Sequence, residues 1–154
     1  SEQRHNSHSM SSCVKYFESF AGTKNLFFAI VSHCALGHIG NITVVFDHNN
    51  GVADVAIMIG EKEAWGRGLG KEAWTLVLEY LLGRPDIRKV TAGTMSVNIP
   101  MLCLMKNSGM VVEGVKKSHF ILGGQEVNLI YSAILKRINY PRENLFLKER
   151  VIKG

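Results

Sequence analysis

Cysteine and proline are scarce in this chain, three of each among 154 residues, and no uninterrupted apolar run is longer than Leu26–Val31. Such a run falls far short of the ~20 residues that span a bilayer. The N-terminus also lacks the apolar core of a signal peptide. The expectation is a protein of the cytoplasm with no membrane contact. Cys13, Cys34 and Cys103 cannot all pair with one another and form no C-x-x-C, which favours reduced thiols over a disulfide framework. His33, Cys34 and His38 lie close in sequence, but a strand and a turn would not converge them on one ion, so no metal site is expected. Interleaved aromatic and basic residues are missing too. The formal charge of +5 is dispersed, densest at Lys116-Lys117 and in the tail, which argues against a nucleic-acid platform. Steering of an anionic ligand and ordinary solvated surface account for it. No repeat or low-complexity stretch divides the chain, and a 46% hydrophobic composition supports one core, hence a single domain over residues 1–154.

What is present is an ordered alternation of elements. Val14, Phe17 and Phe20, helped by Cys13, have helical spacing, predicting a short helix over Met10–Phe20. Leu26–Ser32, His38–Phe46 and Val52–Ile59 read as an antiparallel meander, with a turn at Gly37 and a hairpin signal at Asn49-Asn50-Gly51. A helix follows over Leu69–Leu82, burying Ala73, Trp74, Val77, Leu78 and Leu81 and stopped by Gly83 and Pro85. Ile87–Ser96 is a strand, and a helix follows Asn98, an N-cap type with Pro100 in the first turn. Val111–Leu122 and Val127–Leu135 flank Gly123-Gly124 as a long hairpin. The tail from Asn139 to Gly154 reads as a short helix or a dimer contact.

The most informative stretch is Gly60–Trp74, where three glycines and two cations stand at a strand-to-helix junction. Gly66, Gly68 and Gly70 permit backbone conformations closed to other residues and allow close approach of a ligand. The free N–H groups and dipole of the first helical turn favour an anion there. Arg67 and Lys71 add full charges. The spacing is one residue short of the dinucleotide fingerprint G-x-G-x-x-G. A P-loop would require glycine at Trp65 and Ser or Thr at Glu72.

Trp65 to Gly70 resemble motif A of the GNAT superfamily of N-acetyltransferases, with Gly68 and Gly70 on its small positions and Trp65 where Gln or Arg is frequent. Asn98 to Met110 are similar to its motif B, an Asn-led helix ending in Lys-x-x-Gly-Phe, here Lys106 to Met110. The version with an aromatic before the glycines looks like the branch of ribosomal-protein N-terminal and amino-sugar acetyltransferases. The resemblance covers about residues 26–135. It implies an α/β (α+β) GNAT fold, a mixed and mostly antiparallel sheet whose central parallel strands splay apart, flanked by helices. Members usually open with a further strand, so either the chain starts late or that strand is lost.

The resemblance further implies acetyl-CoA as donor, held by the backbone of Ile57, Met58 and Ile59, by Trp65, Gly66, Arg67, Gly68, Leu69, Gly70 and Lys71, and by Asn98 and Lys106. Asn98 is either a cofactor ligand or a helix cap. A backbone N–H near Ile59 is the oxyanion donor. Glu61 and His38 are the candidate general bases. Met105 occupies the position of the family's tyrosine acid, and Met101 that of an alternative serine. Ser108 or Tyr131 substitutes, transfer proceeds without an acid because a thiol of pKa ~8.5 is a tolerable leaving group, or the domain only binds acyl-CoA. The expected acceptor is a small-molecule primary amine, a nucleotide-linked amino sugar; the alternative is a protein N-terminus. A homodimer is compatible with either.

Overall fold

The structure, a computed structural model, describes residues 9–33 and 36–136. The expectations for Cys34 and for the tail from Asn139 lie outside the described residues. The elements run α1 (Met10–Glu18), β1 (Leu26–Ser32), β2 (Gly37–Asp47), β3 (Val52–Ile59), α2 (Leu69–Gly83), β4 (Lys89–Met95), α3 (Ile99–Asn107), β5 (Val111–Leu122) and β6 (Gln125–Leu135). A single 3-10 turn at Lys62–Ala64, not anticipated from the sequence, leads from β3 toward α2.

The strands form one sheet in the order β1-β2-β3-β4-β6-β5. β1, β2 and β3 make the predicted meander, and the remaining neighbours are antiparallel except for β3 and β4. Those two strands run parallel and pair only at Val52↔Lys89, Ala53↔Val90 and Asp54↔Thr91. Beyond that rung they separate. This is the splay implied by the resemblance.

Alternation decides which face is covered. Val44, Ala53, Val55, Val90 and Ala92 are buried on one face, beneath Trp74, Leu78 and Leu81 of α2 and Met105 of α3. Ile39 joins them although strict alternation would turn it away. The β1–β2 register shifts between Ile30 and Val31, leaving Ile39 as the extra residue of a bulge. Gly40 follows because a Cβ there would run into the carbonyl oxygen of Met58.

The helix ends obey local rules. In α2, Gly83 is still helical, and the stop comes at Arg84, whose extended backbone (ψ 137°) is what a residue before proline prefers. In α3, Asn98 caps by accepting the Met101 N–H at 3.3 Å. The two helices are joined where the fully buried Trp74 donates its indole N–H to Ser108 Oγ at 3.1 Å. On the other face, α1 buries nothing fully and rests on Phe27 through Tyr16, Phe17 and Phe20, with ring centroids 5.3–6.1 Å apart.

Candidate active site

The glycine turn adopts the strained geometry that its residues permit. Gly66 and Gly68 have φ of +72° and +81°, and Gly68 is the N-cap of α2 without a side-chain cap. Ladder bonding resumes with Glu72 N–H to Gly68 O at 3.0 Å. The six amides of residues 66–71 have no acceptor among the described residues. A Cβ on Gly66 or Gly68 would meet open space, whereas one on Gly70 would lie 3.3 Å from Ile59 Cγ1. Gly66 and Gly68 therefore serve backbone conformation, and Gly70 serves the packing of α2 on β3. The exposed side chains of Arg67 and Lys71 flank the turn.

The gap between β3 and β4 begins a short distance away. Because Gly60 N–H donates to Ile39 O at 3.0 Å, Gly40↔Ile59 is a pair without mutual ladder bonds. Met58, Ala56 and Asp54 consequently bond β2, while the polar groups of Ile57 and Ile59 turn into the gap. The Ile59 carbonyl is taken by the indole N–H of Trp65 at 3.1 Å. That bond fixes the glycine turn against the end of β3, a role for Trp65 that sequence reasoning did not supply. The amides of Gly60 and Glu61 both donate to Ile39 O. The candidate oxyanion donors narrow to the N–H groups of Ile57 and Ile59.

Asp54 is the residue that sequence reasoning missed. It sits on the last paired rung, on the face away from α2, and accepts a 2.6 Å hydrogen bond from Thr91 Oγ1 across the seam. Although Asp54 is exposed, partial loss of water around the carboxylate on the sheet face raises its pKa above 3.8, outweighing the Thr91 hydrogen bond that lowers it. An aspartate inside an otherwise apolar strand is itself a signal, since strands are depleted in this residue.

The other candidates fall around this centre. Glu61, half-buried, lies just past the open end of the gap, where its Oε1 accepts Glu63 N–H at 3.1 Å. His38 is exposed on β2, 3.0 Å from Asn41 Oδ1 through Nε2. Lys106 is exposed in the last turn of α3. Met105 is only 1% exposed, so this side chain belongs to the core. Ser108 donates to the Met105 carbonyl at 2.9 Å and accepts from Trp74, which commits its hydroxyl to the helix junction. No group of His, Cys, Asp and Glu suited to a metal occurs among the described residues. Likewise, no described helix is long and apolar enough to cross a membrane. A concavity of about 720 Å³ around Leu82, Gly109, Ala133 and Lys136 lies at the far end of α2, remote from this turn.

A diphosphate fits the turn, because unpaired amides, two glycines facing open space and two cations converge there. An extended amide-bearing chain fits the gap, because Ile57 and Ile59 offer it ladder-type partners. A splayed mixed sheet with such a turn at one end defines the class of acyl-CoA-dependent acyltransferase folds. A sequence model of the Acetyltransferase (GNAT) domain matches residues 2–111, and the chain belongs to that family.

One curated relative, an N-acetyltransferase 9-like protein from Nematostella vectensis, is 38% identical over 58 residues, a match covering 38% of this chain and 29% of that protein. Solved structures share the fold at low identity. A spermidine N-acetyltransferase SpeG variant from Vibrio cholerae superposes with a TM-score of 0.72 at 17% identity, covering 83% of this chain and 76% of that one. A ribosomal-protein-alanine N-acetyltransferase from Brucella melitensis gives 0.72 at 13%, covering 85% and 81%.

Proposed function

We propose that the protein transfers the acetyl group of acetyl-CoA directly to a primary amine. The supporting observation is the convergence of six unpaired amides at residues 66–71 with a gap lined by Ile57 and Ile59. The turn holds the diphosphate and the gap aligns the pantetheine arm, with Asn98 and Lys106 at α3 as further contacts. The donor contributes the activated thioester. Fixing its carbonyl beside an amide of Ile57 or Ile59 places a hydrogen-bond donor where charge develops.

The amine must shed its proton. Asp54 at the closed end of the gap and Glu61 beyond its open end are the two carboxylates that bracket it. Asp54 is favoured as base, because a raised pKa brings a carboxylate nearer the range useful for proton abstraction. His38, exposed near the start of β2 and tied to Asn41, is a third acceptor of lower rank.

The acceptor enters from the face opposite α2. There Asp54 stands beside Val45, its exposed apolar partner on β2, with the exposed Met58 further along the same face of β3. One carboxylate among apolar neighbours suits an amine of single charge on an extended chain, a peptide α-amine, better than a polycation. A nucleotide-linked amino sugar is the second choice, favoured by Lys116 standing 5.3 Å over the Tyr131 ring on the same side.

Thiol release from acetyl-CoA, measured with short peptides bearing a free α-amine, with spermidine and with a nucleotide-linked amino sugar, tests this. Turnover is expected with the peptides. Saturable acetyl-CoA binding without turnover on any amine would point instead to a module that only binds acyl-CoA.

A further inference from the structure

Toward the β5–β6 hairpin, the open face of the sheet carries a cation without a counter-ion. We propose that Lys116 makes the acceptor site selective for amines that bear an anionic group, in the first place peptides with an acidic side chain near the third residue. This inference deepens the acetyl-transfer reading above and rests on it.

Residues directly opposite one another across a sheet share a face. Asp54 stands opposite Thr91, Gly93 opposite Tyr131, and Leu129 opposite both Met95 and Lys116, so the period of two along β4 and β6 puts Lys116 on the face that carries Asp54. The missing side chain of Gly93 lets the Tyr131 ring lie over β4: a Cβ built there would be 3.2 Å from Cε1 and 3.3 Å from Cδ1. Gly114, opposite Tyr131 on β5, leaves its own place vacant, since a Cβ on it would meet nothing within 4 Å. Lys116 Nζ stands 5.3 Å from the ring centroid, which positions the stem while the residue stays exposed. Open space beside the ring, with a positioned cation at its rim, can seat a carboxylate.

No acid among the described residues fills that seat. Their ion pairs are Arg84–Asp86 and Lys89–Glu113, and Glu113, the acid closest to Lys116 in sequence, is held by Lys89 at 2.6 Å. Glu126 stands opposite Ile121, further out on the hairpin. A surface lysine is usually just solvated. The ring contact and the vacancy at Gly114 set this one apart. From Thr91 to Gly114 the path is two strand spacings across and two residues along, about 12 Å, which is the reach of an extended peptide from its α-nitrogen to the carboxylate of its third side chain.

Thiol release from acetyl-CoA is measured with a peptide of neutral side chains and with the same peptide carrying Glu at the second, third or fourth position, or Lys at the third. Wild type should favour Glu at the third position over the neutral peptide by roughly fivefold to tenfold in kcat/KM, through KM, and the preference should fade in high salt. Lys116→Gln should remove the preference, and Lys116→Glu should turn it toward the Lys peptide. Lys117→Gln makes the same change of net charge one residue away and should keep the wild-type ratio. Calorimetry of these peptides on the coenzyme A-bound protein should give the same order without turnover. No preference for the acid in wild type, a preference that survives Lys116→Gln, or one lost equally in Lys117→Gln overturns the assignment of Lys116 and leaves acetyl transfer standing. Turnover of the nucleotide-linked amino sugar above every peptide, reduced by Lys116→Gln, overturns the acidic peptide in favour of a phosphate. A wild type that binds no acetyl-CoA, or binds it and acetylates no amine, removes the acetyl-transfer reading, and this inference with it.

Discussion

Replacing Gly68 by Ala isolates the conformational demand of the phosphate turn. Its φ of +81° lies in the left-handed region, and a Cβ there would meet nothing within 4 Å, so no clash contributes. The left-handed conformation costs an L-residue with a Cβ about 1–2 kcal/mol. Two outcomes are open to the chain. If the turn keeps its shape, stability falls by that amount, a drop of ~2–8 °C in unfolding temperature for a domain of this size. If it relaxes instead, the amides of Leu69 and Gly70 swing away from the diphosphate. Each bond lost to a charged oxygen costs ~1.5–3 kcal/mol, which for one bond is about ten- to a hundredfold in affinity. Urea unfolding with calorimetry of coenzyme A reads both quantities, and their combined loss should be at least ~1 kcal/mol. Gly68→Asn should recover much of it, because asparagine tolerates this region. Gly60→Ala, with open space and an ordinary φ, is the matched control and should be near neutral. Wild-type stability and affinity in Gly68→Ala would refute the reasoning.

Further outcomes follow from the packing and the charges. Trp74→Ala removes a fully buried indole and the hydrogen bond it donates to Ser108, and should cost about 3–5 kcal/mol in urea unfolding. Met105→Tyr should not create a catalyst: at 1% exposure the larger ring overpacks the core, lowering stability by about 1–3 kcal/mol with no gain in turnover. Because the folded pKa of Asp54 is raised, the folded state binds its proton more tightly, so this group favours folding below pH 3.8 and that contribution fades as pH rises through the folded value. Asp54→Asn should flatten that part of the stability–pH curve. It should also abolish the acidic limb of kcat/KM, with Glu61→Gln the comparison.

Much of this architecture could be read from local pattern. β1, β3 and β5 fall on their predicted residues because short runs rich in Val, Ile and Phe between turn residues leave little ambiguity. The shape of the glycine turn was equally legible, since Gly66 and Gly68 take the positive φ that their missing side chains allow. What stayed hidden depends on partners distant in sequence. Nothing around Asp54 indicates that pairing with β4 ends there, because the rung exists only through Thr91, 37 positions later. The Trp65 anchor on Ile59 depends on an unanticipated 3-10 turn that brings them together. The bulge at Ile39 and the shift between Lys116 and Phe120 are register events, set by neighbouring strands rather than by the residues themselves.

Only three rungs stitch the β1–β3 half of the sheet to the β4–β6–β5 half. A pantetheine chain seated beyond them would act as a surrogate seventh strand, joining two leaves that otherwise meet beyond that point only through the helices packed on one face. Donor and fold would then stabilise each other: the amides of Ile57 and Ile59 should exchange with deuterium readily in the free protein and resist exchange once coenzyme A is added.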